Sequence, residues 1–139
     1  MDISVVVPVY GCKAALPELD RRLHETLDSM NVSYELIYVD DCCPQGSWEV
    51  IQQICKTKKD VVGIQLSRNF GQIKAITAGL DQSKGDWVVV MDCDLQDRPE
   101  AIPQIYSKAL EGYDVVFVER VNRKDSAFKM FVSKCFYHV

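Results

Sequence analysis

Residues 92–97 hold the side chains best suited to chemistry. Asp92, Asp94 and Asp97 lie within this short stretch, with no lysine or arginine among them. Carboxylates this close repel one another unless a cation lies between them, and a divalent cation bound to a phosphate ester commonly takes that place. The spacing therefore predicts a metal–diphosphate site. Any single aspartate here could instead serve only as a turn former or a helix N-cap.

A continuous apolar run comes directly before these aspartates and would position them. Residues 88–91 are three valines and a methionine, which is typical of a strand buried in a parallel sheet. Open α/β sheets present their ligand-binding groups at the carboxyl ends of such strands. A second acidic pair, Asp40 and Asp41, follows another apolar run at residues 34–39. Both acidic groups are therefore expected to face one crevice at the same edge of the sheet.

Strand and helix patterns alternate along the rest of the chain. Apolar, β-branched runs predict strands at residues 3–9, 34–39, 61–66, 87–91 and 114–118. Helical spacing predicts helices between them, including one with Ile73, Ile76 and Leu80 facing inward and an amphipathic helix over residues 126–139. This alternation predicts an α/β fold with a mostly parallel sheet and helices on both faces.

Length and composition narrow the class of protein. The 139 residues suit a single domain, and 47% hydrophobic and 26% charged residues are typical of soluble globular proteins. The net charge of -4 argues against a general nucleic-acid binder. The sequence has no apolar run of about 18 residues to span a membrane, and its N-terminus lacks the pattern of a signal peptide. We expect one domain over residues 1–139, forming the N-terminal part of a longer protein, because the chain stops within an amphipathic pattern.

The chain has six cysteines: Cys12, Cys42, Cys43, Cys55, Cys93 and Cys135. They form no CxxC pair, and their spacing fits neither a zinc site nor a secreted disulfide framework. Free thiols in a reducing cytosol are the expected state, with disulfide or metal use as the alternative. We therefore expect a cytoplasmic location, or the cytoplasmic face of a membrane in the full-length protein.

Taken together, these motifs resemble the inverting GT-A glycosyltransferases of family 2. The likeness is strongest to the polyprenyl-phosphate branch, of which dolichol-phosphate mannose synthase is an example, and it extends over essentially the whole chain. The segments that carry it are the opening strand at residues 6–10, the strand ending in the acidic pair, the loop at residues 68–72, Gly85-Asp86 before the metal strand, and the DxDLQD motif at residues 92–97.

The resemblance implies a role for each motif. Asp94 would be a metal ligand, Asp92 a metal or ribose contact at the reaction centre, and Gln96 an additional ligand of Mg²⁺ or Mn²⁺. The nucleotide would be contacted by the first strand, the acidic pair, the polar loop and the metal motif, through Pro8, Val9, Tyr10, Asp40, Asp41, Arg68, Asp92 and Cys93.

The acceptor side depends on a basic patch and on one further carboxylate. Arg120 and Arg123 follow the fifth predicted strand, and guanidinium forks suit phosphate oxygens. The resemblance assigns arginines at this place to the donor or acceptor phosphate, and a solvated basic loop is the alternative. Asp97 is the nearest candidate for a catalytic base. Such a base is needed only for a hydroxyl acceptor, because a lipid phosphate is already ionised at pH 7.

Two departures from the family pattern lie at the base end of the predicted crevice. Gly11 stands where the family usually has asparagine, and Cys42-Cys43 where it usually has Gly-Ser. Both changes could alter how the nucleotide fits.

The predicted function is transfer of a sugar from a UDP- or GDP-sugar to a polyprenyl phosphate lipid. Partners would be the nucleotide-diphosphate sugar, the lipid phosphate and, through segments beyond this chain, a membrane surface; no nucleic-acid partner is expected and the oligomeric state is left open. One alternative is a family 2 enzyme of polysaccharide synthesis with a hydroxyl acceptor. Another is a phosphoacceptor receiver domain, which would need its acidic pair after the first strand. A sugar nucleotidyltransferase would need a glycine-rich loop there.

Overall fold

A four-stranded parallel sheet forms the centre of the protein. The computed structural model describes residues 1–119 and the backbone of residues 130 and 131, and the chain divides into two units, Met1–Glu100 and Ala101–Val139. In the first unit, β1 (Ile3–Val9), β2 (Tyr34–Asp40), β3 (Val61–Gln65) and β4 (Trp87–Val90) pair in the order β3-β2-β1-β4. The predicted α/β class and the parallel sheet are confirmed.

Three helices cover the sheet on both faces. These are α1 (Leu16–Ser29), which follows a short turn at Lys13–Ala15, α2 (Ser47–Thr57) and α3 (Gln72–Gln82). Tyr38 reaches Asp20 of α1 with its hydroxyl, and Gly63 lies against Ile51 of α2 on the same face. Helix α3 packs on the opposite face, where Ala75 joins the core cluster of the central strands.

Helix α3 contacts the sheet through small residues rather than large ones. A Cβ atom at Gly79 would collide with the side chain of Val6 on β1, so the helix backbone lies close to the sheet. The prediction that Ile73 and Leu80 face inward is wrong: Ile73 is 79% exposed and Leu80 is 42% exposed. The close approach through Ala75 and Gly79 turns the large apolar side chains away from the core.

A buried polar contact fixes where β4 begins. The Ser4 hydroxyl donates to Glu35 Oε1 at 2.7 Å, linking β1 to β2. The same hydroxyl accepts from the backbone N–H of Gly85 at 2.8 Å, and Glu35 accepts from that of Lys84 at 2.7 Å. A Cβ at Gly85 would collide with the backbone of β1, so only glycine fits this turn. The turn therefore sets β4, and the acidic segment after it, beside β1.

The second unit contains α4 (Ile102–Leu110), which follows a short turn at Pro99–Ala101, and a small antiparallel pair. The pair joins β5 (Phe117–Val118) to β6 (Met130–Phe131). The predicted fifth strand is thus shorter than residues 114–118 and lies outside the parallel sheet. The predicted helix over residues 126–139 is wrong at Met130–Phe131, where cross-strand pairing overrides the helical spacing; its other residues lie outside those described.

None of the helices within the described residues has the length and apolar character needed to cross a bilayer.

Candidate functional site

A cleft of about 330 Å³ opens at the carboxyl edge of the sheet. Its walls come from the ends of β1, β2 and β4 and from the first turns of α3. The lining residues are Pro8, Val9, Tyr10, Asp41, Asn69, Gly71, Gln72, Ala75, Asp92, Cys93 and Asp94. The acidic strand ends therefore do meet at one crevice, as the parallel arrangement predicts.

The end of β1 supplies an apolar wall of this cleft. Pro8 and Val9 are the last residues of the strand, and Tyr10 follows with 53% of its surface exposed. Gly11 then turns the chain with a positive φ of 74°, a conformation that costs glycine little. An exposed tyrosine beside buried aliphatic side chains offers a flat apolar surface on which a planar base can lie.

The two aspartates after β2 differ in what they contact. Asp41 is buried, and its two carboxylate oxygens accept from the backbone N–H groups of Phe70 and Gly71 at 2.8 and 3.0 Å. It thereby fixes the loop that leads into α3. Asp40 does not line the cleft. It is buried and accepts from the Cys43 N–H at 3.3 Å, and burial raises the pKa of its carboxyl above the ordinary value.

The acids after β4 face the cleft. Asp92 is half-buried and Asp94 is exposed. The Gln72 side-chain amide donates to Asp92 Oδ1 at 2.9 Å, so the start of α3 orients this carboxylate. Asp97 Oδ2 accepts from the Asp92 N–H at 2.9 Å and closes the turn. Asp94 Oδ1 accepts from the Gln96 N–H at 3.0 Å, across Leu95 in the left-handed region at a φ of 66°.

The donor set at this tip fits a hard divalent cation shared with a phosphate. Asp92 and Asp94 offer carboxylate oxygens, which Mg²⁺ and Mn²⁺ prefer. Within residues 1–119 no three acidic, histidine or cysteine side chains gather closely enough to hold a metal by themselves. Mg²⁺ is usually held by one or two carboxylates together with substrate phosphates, so an incomplete protein shell suits an ion that arrives with a diphosphate.

Besides Asp40, five of the predicted site residues lie away from the cleft lining or outside the described residues. The Arg68 guanidinium lies over the Phe70 ring, 4.6 Å from its centroid. Gln96 and Asp97 belong to the turn after the cleft-lining acids and do not line the cleft themselves. Arg120 and Arg123 lie outside the described residues. Asn69, Gly71 and Gln72 line the cleft and belong to the segment of residues 68–72 that carries the resemblance, although only Arg68 was named there as a nucleotide contact. Ala75 also lines the cleft and was not predicted.

Cys93, which lines the cleft, forms a disulfide with Cys12, contrary to the expectation of free thiols. Cys12 follows β1 and Cys93 follows β4, and their Cα atoms are 6.1 Å apart. The sequence separation of 81 residues hid this pair. Because β1 and β4 are neighbours in the sheet, their carboxyl ends bring the two residues together. Cys42, Cys43 and Cys55 are free thiols, and Cys135 lies outside the described residues.

Comparison with known families identifies the domain. Residues 4–138 match the family described as Glycosyl transferase family 2. The chain belongs to this family. The match covers almost every residue, so the family 2 resemblance carried by the strand ends and the DxDLQD motif is confirmed.

Two curated relatives of this family 2 chain carry the same name. The undecaprenyl-phosphate 4-deoxy-4-formamido-L-arabinose transferase of Aeromonas hydrophila is 44% identical over 133 residues, covering 95% of this chain and 41% of the relative. The protein of the same name from Pseudomonas savastanoi is 43% identical, with 95% and 40% covered. The chain thus spans about two fifths of the length of the curated relatives it matches.

Solved structures share the fold at lower identity. The mannosyltransferase PcManGT from Pyrobaculum calidifontis, in complex with GDP-Man and Mn²⁺, has a TM-score of 0.59 at 21% identity, covering 66% of this chain and 27% of that one. TarS 1-349 from S. aureus, in complex with UDP, has a TM-score of 0.61 at 23% identity, covering 80% and 32%. At these identities the likeness establishes the GT-A fold.

Proposed function

We propose that this chain is the donor-binding part of a metal-dependent inverting glycosyltransferase that moves a sugar from a UDP- or GDP-sugar to a polyprenyl phosphate. The observation that carries the proposal is the position of Asp92 and Asp94, which line one cleft with the apolar end of β1 in a family 2 domain. The names of the relatives support a lipid phosphate acceptor. The GDP-Man and UDP complexes of the structural neighbours support the donor class.

The base end of the donor would lie against β1. Pro8, Val9 and Tyr10 supply apolar surface there, and Asp41 holds residues 70 and 71 of the loop that also lines the cleft. The buried Asp40 would support the nucleotide site indirectly, because its carboxylate accepts from the Cys43 N–H in the loop after β2. Arg68 would reach a phosphate only by leaving the Phe70 ring.

The diphosphate end would lie at the tip of β4. Asp92 and Asp94 would hold Mg²⁺ or Mn²⁺, with Gln96 as the predicted further ligand. When bound, the ion offsets the negative charge that grows on the departing nucleoside diphosphate. Gln72 keeps the Asp92 carboxylate turned toward the cleft, and Asp97 holds the backbone from which it projects.

An ionised acceptor removes the need for a strong base. A polyprenyl phosphate oxygen is already negative at pH 7 and can attack the anomeric carbon on the face opposite the leaving group. We therefore assign Asp97 to holding the turn, and keep it as a base only for a hydroxyl acceptor. Arg120 and Arg123 remain the predicted contacts of the acceptor or donor phosphate. A lipid acceptor places the working enzyme at a membrane surface, on the cytoplasmic side where nucleotide sugars are expected.

Isothermal titration with UDP and GDP, each with and without Mn²⁺, tests the proposal. We expect binding that strengthens at least tenfold with Mn²⁺ and loses this gain in Asp94→Ala, because removing one of two carboxylates costs a charge-assisted contact of about 1.5–3 kcal/mol. Asp81→Ala is the matched control, since Asp81 is an exposed carboxylate near the other end of α3. Binding that is independent of Mn²⁺, or unchanged in Asp94→Ala, would contradict the proposal.

A further inference from the structure

The disulfide between Cys12 and Cys93 joins the acidic tip of the proposed donor cleft to the segment that follows its apolar wall. Cys93 stands between Asp92 and Asp94 and itself lines the cleft. Cys12 closes the turn that begins at Tyr10, on the apolar wall. The bond therefore connects the segment proposed to hold the metal with the segment proposed to hold the base.

The bridge lies beyond the point where backbone pairing between the two strands ends. The register of β1 and β4 runs to Val6 and Val90, and the last backbone bond is from Met91 N–H to the Val6 carbonyl at 3.2 Å. From there β1 continues to Val9 alongside β2. The disulfide thus adds a covalent connection to the acidic segment, next to the hydrogen bonds that Asp92 makes with Gln72 and Asp97.

The two sulfur-bearing residues differ in exposure. Cys12 is partly exposed, whereas Cys93 is 6% exposed. An external thiolate would therefore reach the disulfide from the Cys12 side and release the Cys93 sulfur into the cleft. Thiol–disulfide exchange requires such access.

We propose that Cys12 and Cys93 form a reversible redox site that sets the affinity of the cleft for the metal–nucleotide pair, with the disulfide form binding more tightly. This proposal rests on the proposed function. An external dithiol is the reductant: one of its thiolates breaks the S–S bond and forms a mixed disulfide, which its second thiolate resolves. Two electrons and two protons pass to the cysteines, and the dithiol leaves as its own disulfide.

Preorganisation sets the direction of the effect. With the bond closed, the acidic segment is held at the edge of β1 before ligand arrives, so less ordering is needed on binding. If reduction leaves about one more side chain to be ordered on binding, we expect a loss of roughly threefold to tenfold in affinity.

Two measurements on the 139-residue chain test this site. Peptide mapping after alkylation without reductant should recover a Cys12–Cys93 cross-linked peptide, which dithiothreitol removes. Titration of UDP or GDP with Mn²⁺, on diamide-oxidised protein and on protein reduced and desalted under argon, should show affinity about threefold to tenfold lower after reduction. Cys12→Ser should bind like the reduced protein in both conditions. Cys55→Ser, which alters a free thiol on α2, should keep the wild-type response.

The outcomes separate this site from the proposed function. Absence of the cross-linked peptide after diamide treatment, equal affinities in the two states, or tighter binding after reduction would overturn the redox site while leaving the donor cleft in place. Absence of Mn²⁺-dependent nucleotide binding in both states would overturn the proposed function and the redox site together. Chemical reduction of the wild-type chain keeps the test valid if Cys12→Ser does not fold.

Discussion

The acidic ends of β2 and β4 share a sheet edge but not an environment. After β2, Asp40 and Asp41 are 1% and 3% exposed, and both accept from backbone N–H groups of neighbouring loops. After β4, Asp92 is half-buried and Asp94 is exposed at the cleft. Buried carboxylates that accept backbone bonds hold loops in place, whereas carboxylates open to a cleft can bind a cation. Position at a strand end alone does not separate these two roles.

Asp41→Ala gives the largest expected effect and tests the structural half of this comparison. Removing the carboxylate takes away the acceptor of the Phe70 N–H and one of the two acceptors of the Gly71 N–H. Bonds to a charged group are worth about 1.5–3 kcal/mol, so we expect the free energy of unfolding to fall by about 2–3 kcal/mol. Urea denaturation followed by circular dichroism measures it.

The free energy of unfolding of Asp94→Ala is measured by the same urea denaturation, for comparison with Asp41→Ala. Asp94 is exposed, and exposed substitutions usually change the free energy of unfolding by no more than about 0.5 kcal/mol. A loss at Asp94 as large as that at Asp41 would remove the distinction between the two strand ends.

Gln72→Ala tests whether Gln72 orients the Asp92 carboxylate after β4 without stabilising the fold. The amide of Gln72 donates to Asp92 Oδ1, and a hydrogen bond to a charged group contributes about 1.5 kcal/mol at the lower end of its range. We expect Mn²⁺-dependent nucleotide affinity to fall roughly tenfold, with little change in urea midpoint. Lys74→Ala, on the same exposed turn of α3, is the control. If Gln72→Ala binds like wild type, Gln72 does not position Asp92.

Asp40→Asn should show a smaller effect, visible in its pH dependence. Burial raises the pKa of Asp40 above 3.8, so the folded state binds this proton more tightly than the unfolded state. Stability therefore falls as pH rises from 3.8 through the raised pKa, and it stays lower at neutral pH. Asparagine keeps an acceptor for the Cys43 N–H without the charge.

We accordingly expect Asp40→Asn to unfold at higher urea than wild type at pH 7, and the difference to shrink as pH approaches 3. Urea midpoints at several pH values check it. A variant that is less stable than wild type at pH 7 would mean that the Asp40 charge stabilises the fold.

Much of the parallel sheet could be predicted from sequence, because the patterns that indicate its strands lie within short stretches of the chain. Short continuous apolar runs predict the strands β1, β2 and β4, and acid after β2 and β4 marks the edge that binds ligand. The expected burial holds for β1 and β2, whereas Val88 and Val90 of β4 are 37% and 46% exposed. The observed bounds of β1, Ile3–Val9, are those that the sequence predicts. The resemblance to family 2 is consistent with these strands and is confirmed by the match over residues 4–138.

The parts that sequence reasoning missed depend on which elements become neighbours. The inward face of α3 is set by Gly79 and Ala75, because β1 approaches too closely for larger side chains. The Cys12–Cys93 bond depends on β4 lying beside β1, an order that spacing along the chain does not reveal. The engagement of Asp41 by the loop after β3 likewise joins residues about 30 positions apart.

The most direct test of the account is to observe the carboxylates themselves. Carbon-13 signals of the aspartate carboxyl groups can be followed while UDP or GDP and Mg²⁺ are added, with assignments from single Asp→Asn variants. We predict that the Asp92 and Asp94 signals shift only when nucleotide and Mg²⁺ are both present, while those of Asp40 and Asp41 stay nearly unchanged. Shifts at Asp40 and Asp41, with Asp92 and Asp94 unaffected, would contradict a metal–diphosphate site at the end of β4.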